Sequence, residues 1–136
     1  EESGNPTGAV METINLAFLA ARSNDAAGAR RLLAELARRQ PLLDHHVSAC
    51  FTLFTFGCLA GLEGQWARCV RAHLAALRHF ESGGVADSRL RRREREHDLE
   101  RARRALDAAT LAAAEREAAT GSIRADLAWA FDVMTA

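Results

Sequence analysis

Apolar residues recur every three to four positions along most of this chain, the period of helices that each bury one face. Asn5-Pro6 reads as an N-cap followed by proline at the first helical position. The helix it opens runs to about Arg22, with Val10, Ile14, Ala17, Phe18 and Ala21 on one face. Ser23-Asn24-Asp25 breaks the pattern and caps a second helix over about 26–39, whose inner face is Ala29, Leu32, Leu33 and Leu36. Pro41 stops it. A third helix, from Leu42 or Asp44 to Ala60, is apolar on nearly every side except a thin Ser48–Thr52–Thr55 stripe. Such a helix belongs in the middle of a bundle. Gly61 and Gly64 close it.

A fourth helix over 65–80 turns Trp66, Cys69, Val70, Leu74, Leu77 and Phe80 inward and Arg68, Arg71 and Arg78 outward. Ser82-Gly83-Gly84 is the clearest break, and 82–88 is expected to be the most mobile loop. One long helix follows from Asp87 or Ser88 to Ala119, charged in its first half and alanine-rich in its second. Thr120-Gly121-Ser122 ends it. A last helix from Ile123 to about Met134 buries Ile123, Leu127, Phe131 and Met134 beside Trp129. The expected fold is all-α: one domain over 1–136, with five to six antiparallel helices. Two stacked hairpins fill 10–81, and a long helix and a C-terminal helix fill 88–136.

The two hairpins share a pattern. The first reads Leu16-Ala17, Ala20, then Ala29, Leu33, Leu36 and Pro41. The second reads Phe56-Gly57, Ala60, Gly64-Gln65-Trp66, then Cys69, His73 and Ala76-Leu77. Small residues such as Ala17 and Gly57 permit close helix approach. This arrangement over 10–81 resembles the tetratricopeptide repeat. The units are about 40 residues apart rather than about 34, and His73 stands where a bulky apolar residue is usual. The resemblance implies peptide or protein binding in a groove, not catalysis.

Composition narrows the partners. Basic and acidic residues number 18 each, so no global field attracts nucleic acid or anionic lipid. Every basic residue is arginine. Arg89, Arg91, Arg92, Arg93 and Arg95 form the one basic cluster, but acids follow at once and no aromatic interleaves to stack on bases. Nucleic acid is therefore disfavoured as a partner. Val47–Leu62 is shorter than a membrane span and broken by Ser48, Thr52 and Thr55. Cys50, Cys58 and Cys69 are odd in number and sit in apolar stretches, which points to a cytoplasmic or other reducing compartment. No signal peptide is legible, and the chain opens on Glu1 rather than methionine, so a processed or partial chain remains open.

Candidate chemistry is sparse. His46 with Cys50, and Cys69 with His73, are i,i+4 pairs on neighbouring helices. Brought together, they would make a tetrahedral zinc site; the plainer reading is buried cysteine and histidine without metal. Asp44-His45-His46 resembles a metal motif of certain phosphoesterases but lacks its companions, and a helix start explains Asp44 as a cap or first-turn acid. Glu94 and His97 have the spacing found in di-iron bundles, but that motif occurs once, in a stretch read as a solvated face. No Gly-rich phosphate loop or nucleophile elbow is present, so catalysis has no nominated residues. Trp66 and Trp129 read as core or, where exposed, as interface anchors, with Arg91, Arg92 and Arg93 as charged contacts. The expected function is a non-catalytic protein-interaction or scaffolding module without cofactor. Self-association is expected through the alanine-rich 102–119 stretch. The alternative is a ligand- or metal-sensing regulatory domain.

Overall fold

The structure is a computed structural model that describes residues 6–39 and 44–135. Among these residues there are seven helices and no strand: α1 (Pro6–Arg22), α2 (Ala26–Ala37), α3 (His46–Leu62), α4 (Trp66–Ser82), α5 (Arg89–Ala105), α6 (Ala108–Ala118) and α7 (Ile123–Thr135). The fold is all-α, and no described helix is long and apolar enough to cross a membrane. The expected cap at Asn5 and stop at Pro41 lie outside the described residues.

Local chemistry sets the boundaries. Asp25 accepts from the Gly28 amide at 2.9 Å, and Ser88 from the Arg91 amide at 3.1 Å. The cap of α3 is His45 rather than Asp44: its Nδ1 accepts from the Ser48 amide at 3.5 Å, while exposed Asp44 pairs with Arg124. Helices α1, α3 and α4 end alike. Asn24, Gly64 and Gly84 each take a left-handed φ, of 66°, 72° and 71°. In each turn the following amide reaches back to Ala20, Ala60 or Phe80 at 2.8–2.9 Å. The closures at Asn24 and Gly64 join α1 to α2 and α3 to α4, so these two pairs are helical hairpins bent in the same way.

The long helix expected over 88–119 is two. Leu106 leaves the helical region at ψ 144°, and the Asp107 carboxylate accepts from the Thr110 amide at 2.7 Å to start α6. The break turns α6 back onto α4, where Ala114 with Val70, Leu99 and Ala102 makes a small second core.

The centre of the molecule is α3, packed against α1, α2, α4, α5 and α7. Its Ser48–Thr52–Thr55 stripe is buried with the rest. Burial is tolerable because the hydroxyls are satisfied: Thr52 donates to the Ser48 carbonyl and Thr55 to the Phe51 carbonyl, both at 2.8 Å. The second hub is α4, against α3, α5, α6 and α7. Leu127, Phe131 and Met134 of α7 cover the core as the pattern predicted, with Ile123 half-buried. Segment 83–88 is tied down by the Val85 amide on the Phe80 carbonyl, by Arg91 on the Ala86 carbonyl, and by Asp87 on Arg95.

Candidate functional site

Two buried histidine–carboxylate pairs fasten α4 to its neighbours. His73 is fully buried, and its Nε2 lies 2.9 Å from Oδ2 of Asp98 on α5. His79 Nε2 lies 2.7 Å from Oδ2 of Asp126 on α7, with Arg78 adding a contact at 3.5 Å. Glycine makes room for the first pair. A Cβ at Gly57 would stand 3.1 Å from the His73 ring, and one at Gly61 would stand 3.1 Å from the Asp98 carboxyl. Gly57 and Gly61 are one turn apart on α3, so together they form the seat on which imidazole and carboxylate lie.

Cys58, beside that seat, completes a cluster. Ligand-type atoms of Cys58, His73 and Asp98 lie within 4.8 Å of one another. Cys58 and Asp98 also line a cavity of about 180 Å³ between α1, α3 and α5, with Arg22, Glu94, His97 and Arg101. A cysteine beside a histidine–aspartate pair suggests a nucleophile, but the electrostatics oppose it. Burial first, then the charges of Asp98 and Glu94, push the Cys58 thiol well above its ordinary value. An activated thiol needs the opposite shift. Burial also raises Cys50 to about 11 and Cys69 further still.

The four residues read as a metal set fall into separate places. His46 Nε2 sits 3.4 Å from Cys50 Sγ and 2.9 Å from the His79 carbonyl, so that i,i+4 pair belongs to the α3–α4 contact near Gly83. His73 faces Asp98 and Cys58 instead, and Cys69 is buried on α4. Asp98 carries no signal of its own in the sequence. It directly follows the charged stretch 94–97, yet it is one turn before Ala102 and beside Leu99, on the inner side of α5. Arg95 is also buried there, and grips Asp87 at 2.6 and 3.1 Å.

A second cavity, of about 440 Å³ and mainly apolar, lies along the same gap between α1 and α5 over α3. Phe18, Leu19, Phe51, Phe54, Leu90 and Arg91 line it. Arg22 lines both cavities and pairs with Glu94 at 3.6 Å. The Arg91 guanidinium stands 4.8 Å above the Phe51 ring and 4.6 Å above that of Phe80. Arg92 is exposed and pairs with Asp87 at 3.6 Å, and Arg93 is exposed. The tryptophans lie elsewhere and are half-buried. Arg71 stacks 4.0 Å over Trp129, and Arg101 lies 5.1 Å from Trp66.

No known family model, curated protein or solved structure matches this chain.

Proposed function

We propose that the protein is a non-catalytic binding module that takes an amphipathic helix with acidic flanks into the groove between α1 and α5. One observation carries this reading. The large apolar side chains exposed among the described residues are Leu16, Leu19 and Leu90, at 51%, 53% and 38%, and two of them, Leu19 and Leu90, converge on this groove. Leu19 and Leu90 form walls of the groove, and Leu16 stands one turn away on α1. Scattered exposed leucines need no explanation, but leucines converging on an apolar cavity mark a contact surface. Covering one half-exposed leucine contributes about 1 kcal/mol.

Charge selects the occupant. The charged residues lining the groove are Arg22 and Arg91. Ser88, the cap of α5, also lines the groove, so the positive pole of that helix adds to them. Exposed Arg89, Arg92 and Arg93 surround it. An apolar helix face with flanking carboxylates complements both the leucines and the arginines. The alanine stretch expected to drive self-association is partly used inside the chain, with Ala102, Ala114 and Ala118 buried.

The test is fluorescence anisotropy with a labelled synthetic helix carrying leucines at i, i+4 and i+7 and glutamates at its ends. Binding should weaken with added salt. It should fall roughly tenfold in Leu19→Glu, which removes apolar cover and adds repulsion. Equal binding of a peptide with arginines in place of the glutamates would overturn the reading. So would a dimer of the protein that Leu19→Glu dissociates, since the groove would then hold a second copy.

A further inference from the structure

We infer that Cys58, His73 and Asp98 form a binding site for a divalent metal of the zinc class, with one coordination position open to the cavity between α1, α3 and α5. The site is distinct from the groove and does not depend on it.

The donor set decides the class of metal. A thiolate and an imidazole suit zinc or cobalt, and an all-oxygen metal such as magnesium would avoid them. The geometry is close to what binding needs. Ligands held at about 2.0–2.3 Å around a tetrahedral ion lie roughly 3.3–3.8 Å apart. The three donors already lie within 4.8 Å of one another, so the cluster draws in by about an ångström at most. His73 Nε2 and Asp98 Oδ2, now 2.9 Å apart, open by a few tenths.

The site is also built rather than accidental. Gly57 and Gly61 clear the space above the imidazole and the carboxyl. His73 is fully buried. Phe54 holds the ring edge-on at 5.3 Å. Cys58 and Asp98 reach the wall of a cavity through which an ion can enter, and Glu94 and His97 line that cavity and would face a metal-bound water. On binding, the Cys58 thiol releases one proton to solvent. His73 gives its Nε2 lone pair to the metal and carries its proton on Nδ1, and Asp98 binds as the carboxylate.

Cobalt titration of the chelator-treated full chain tests this. One equivalent of Co²⁺ should produce a thiolate-to-cobalt charge-transfer band in the near ultraviolet. Zn²⁺ should then bleach it and raise the melting temperature. Cys58→Ala should abolish the band. Cys58→Ser, which keeps the volume, should abolish it too. Cys50→Ala should retain the band, because Cys50 sits with His46. A wild-type protein without the band at stoichiometric cobalt would overturn the site. A band that survives in either Cys58 variant would do the same.

Discussion

At Gly57 two effects of a single methyl group oppose each other. Replacing glycine by alanine inside a helix ordinarily stabilises by about 0.5–1 kcal/mol. Here the new methyl would stand 3.1 Å from three atoms of the His73 ring. That ring is bonded to Asp98 at 2.9 Å and packed against Phe54, so yielding would strain both contacts. The overpacking term, about 1–3 kcal/mol, therefore wins. Gly57→Ala should lower stability by roughly 1 kcal/mol in urea titration, whereas a stabilised variant would show that the ring can yield. Asp87 gives a different residue-level prediction. Hydrogen bonds from Arg95 hold its carboxyl below the usual value against a smaller opposing effect of burial, and the charges of Arg95, Arg91 and Arg92 add to the lowering. A depressed native value contributes stability above the unfolded value, near pH 4, and that stability is lost as pH falls further. Asp87→Asn should weaken the protein at neutral pH and flatten its acid-denaturation limb. An unchanged limb would mean the pair contributes nothing to folding. Cys58, His73 and Asp98 were only partly legible in the sequence. His73 stood out because it replaced a core residue, and Gly57 because it permits close approach. Asp98 was hidden by the charges around it, although its spacing to Ala102 puts it on the inner face.

Among elements, legibility followed the strength of the periodic signal. The helices α1 to α4 and α7 lie where their apolar spacing placed them, α3 because it is apolar nearly all round and the others because each has a buried stripe. The stretch 88–119 was harder. Alanine is apolar enough to continue any helical pattern, so the pattern ran through Leu106-Asp107 without a visible stop. The break is capping chemistry, with Asp107 competing for the Thr110 amide. What holds α6 in its turned-back position comes from another element. Arg78 of α4 donates to the Ala118 carbonyl at 3.0 Å and the Gly121 carbonyl at 3.1 Å, and contacts Asp126 at 3.5 Å. One side chain thus caps the end of α6 and steadies the start of α7. Arg78 was read as an outward-facing charge, since spacing alone does not reveal a partner 40 residues away. Arg78→Ala should cost about 2 kcal/mol. Hydrogen exchange should quicken in α6 and α7 ahead of α1 and α2. Uniform loss of protection across all helices would instead mean that the contact acts only on global stability.

Over the whole molecule, α3 and α4 form a core pair around which the other helices are wrapped, and α1 and α5 leave a gap between them above α3. The net charge of zero concealed a local asymmetry. Asp98 is drawn inward onto His73 and Glu94 pairs with Arg22, while the arginines at the start of α5 edge the apolar groove. That separation, more than any single residue, underlies the binding role proposed for the groove. The most direct test is a two-dimensional amide NMR titration of the full chain with the acid-flanked amphipathic helix. The account predicts saturable shifts confined to residues lining the α1–α5 gap, with Leu19, Phe51, Leu90 and Arg91 moving together. Shifts centred instead on Trp66 and Trp129, or none at all at saturating peptide, would contradict it.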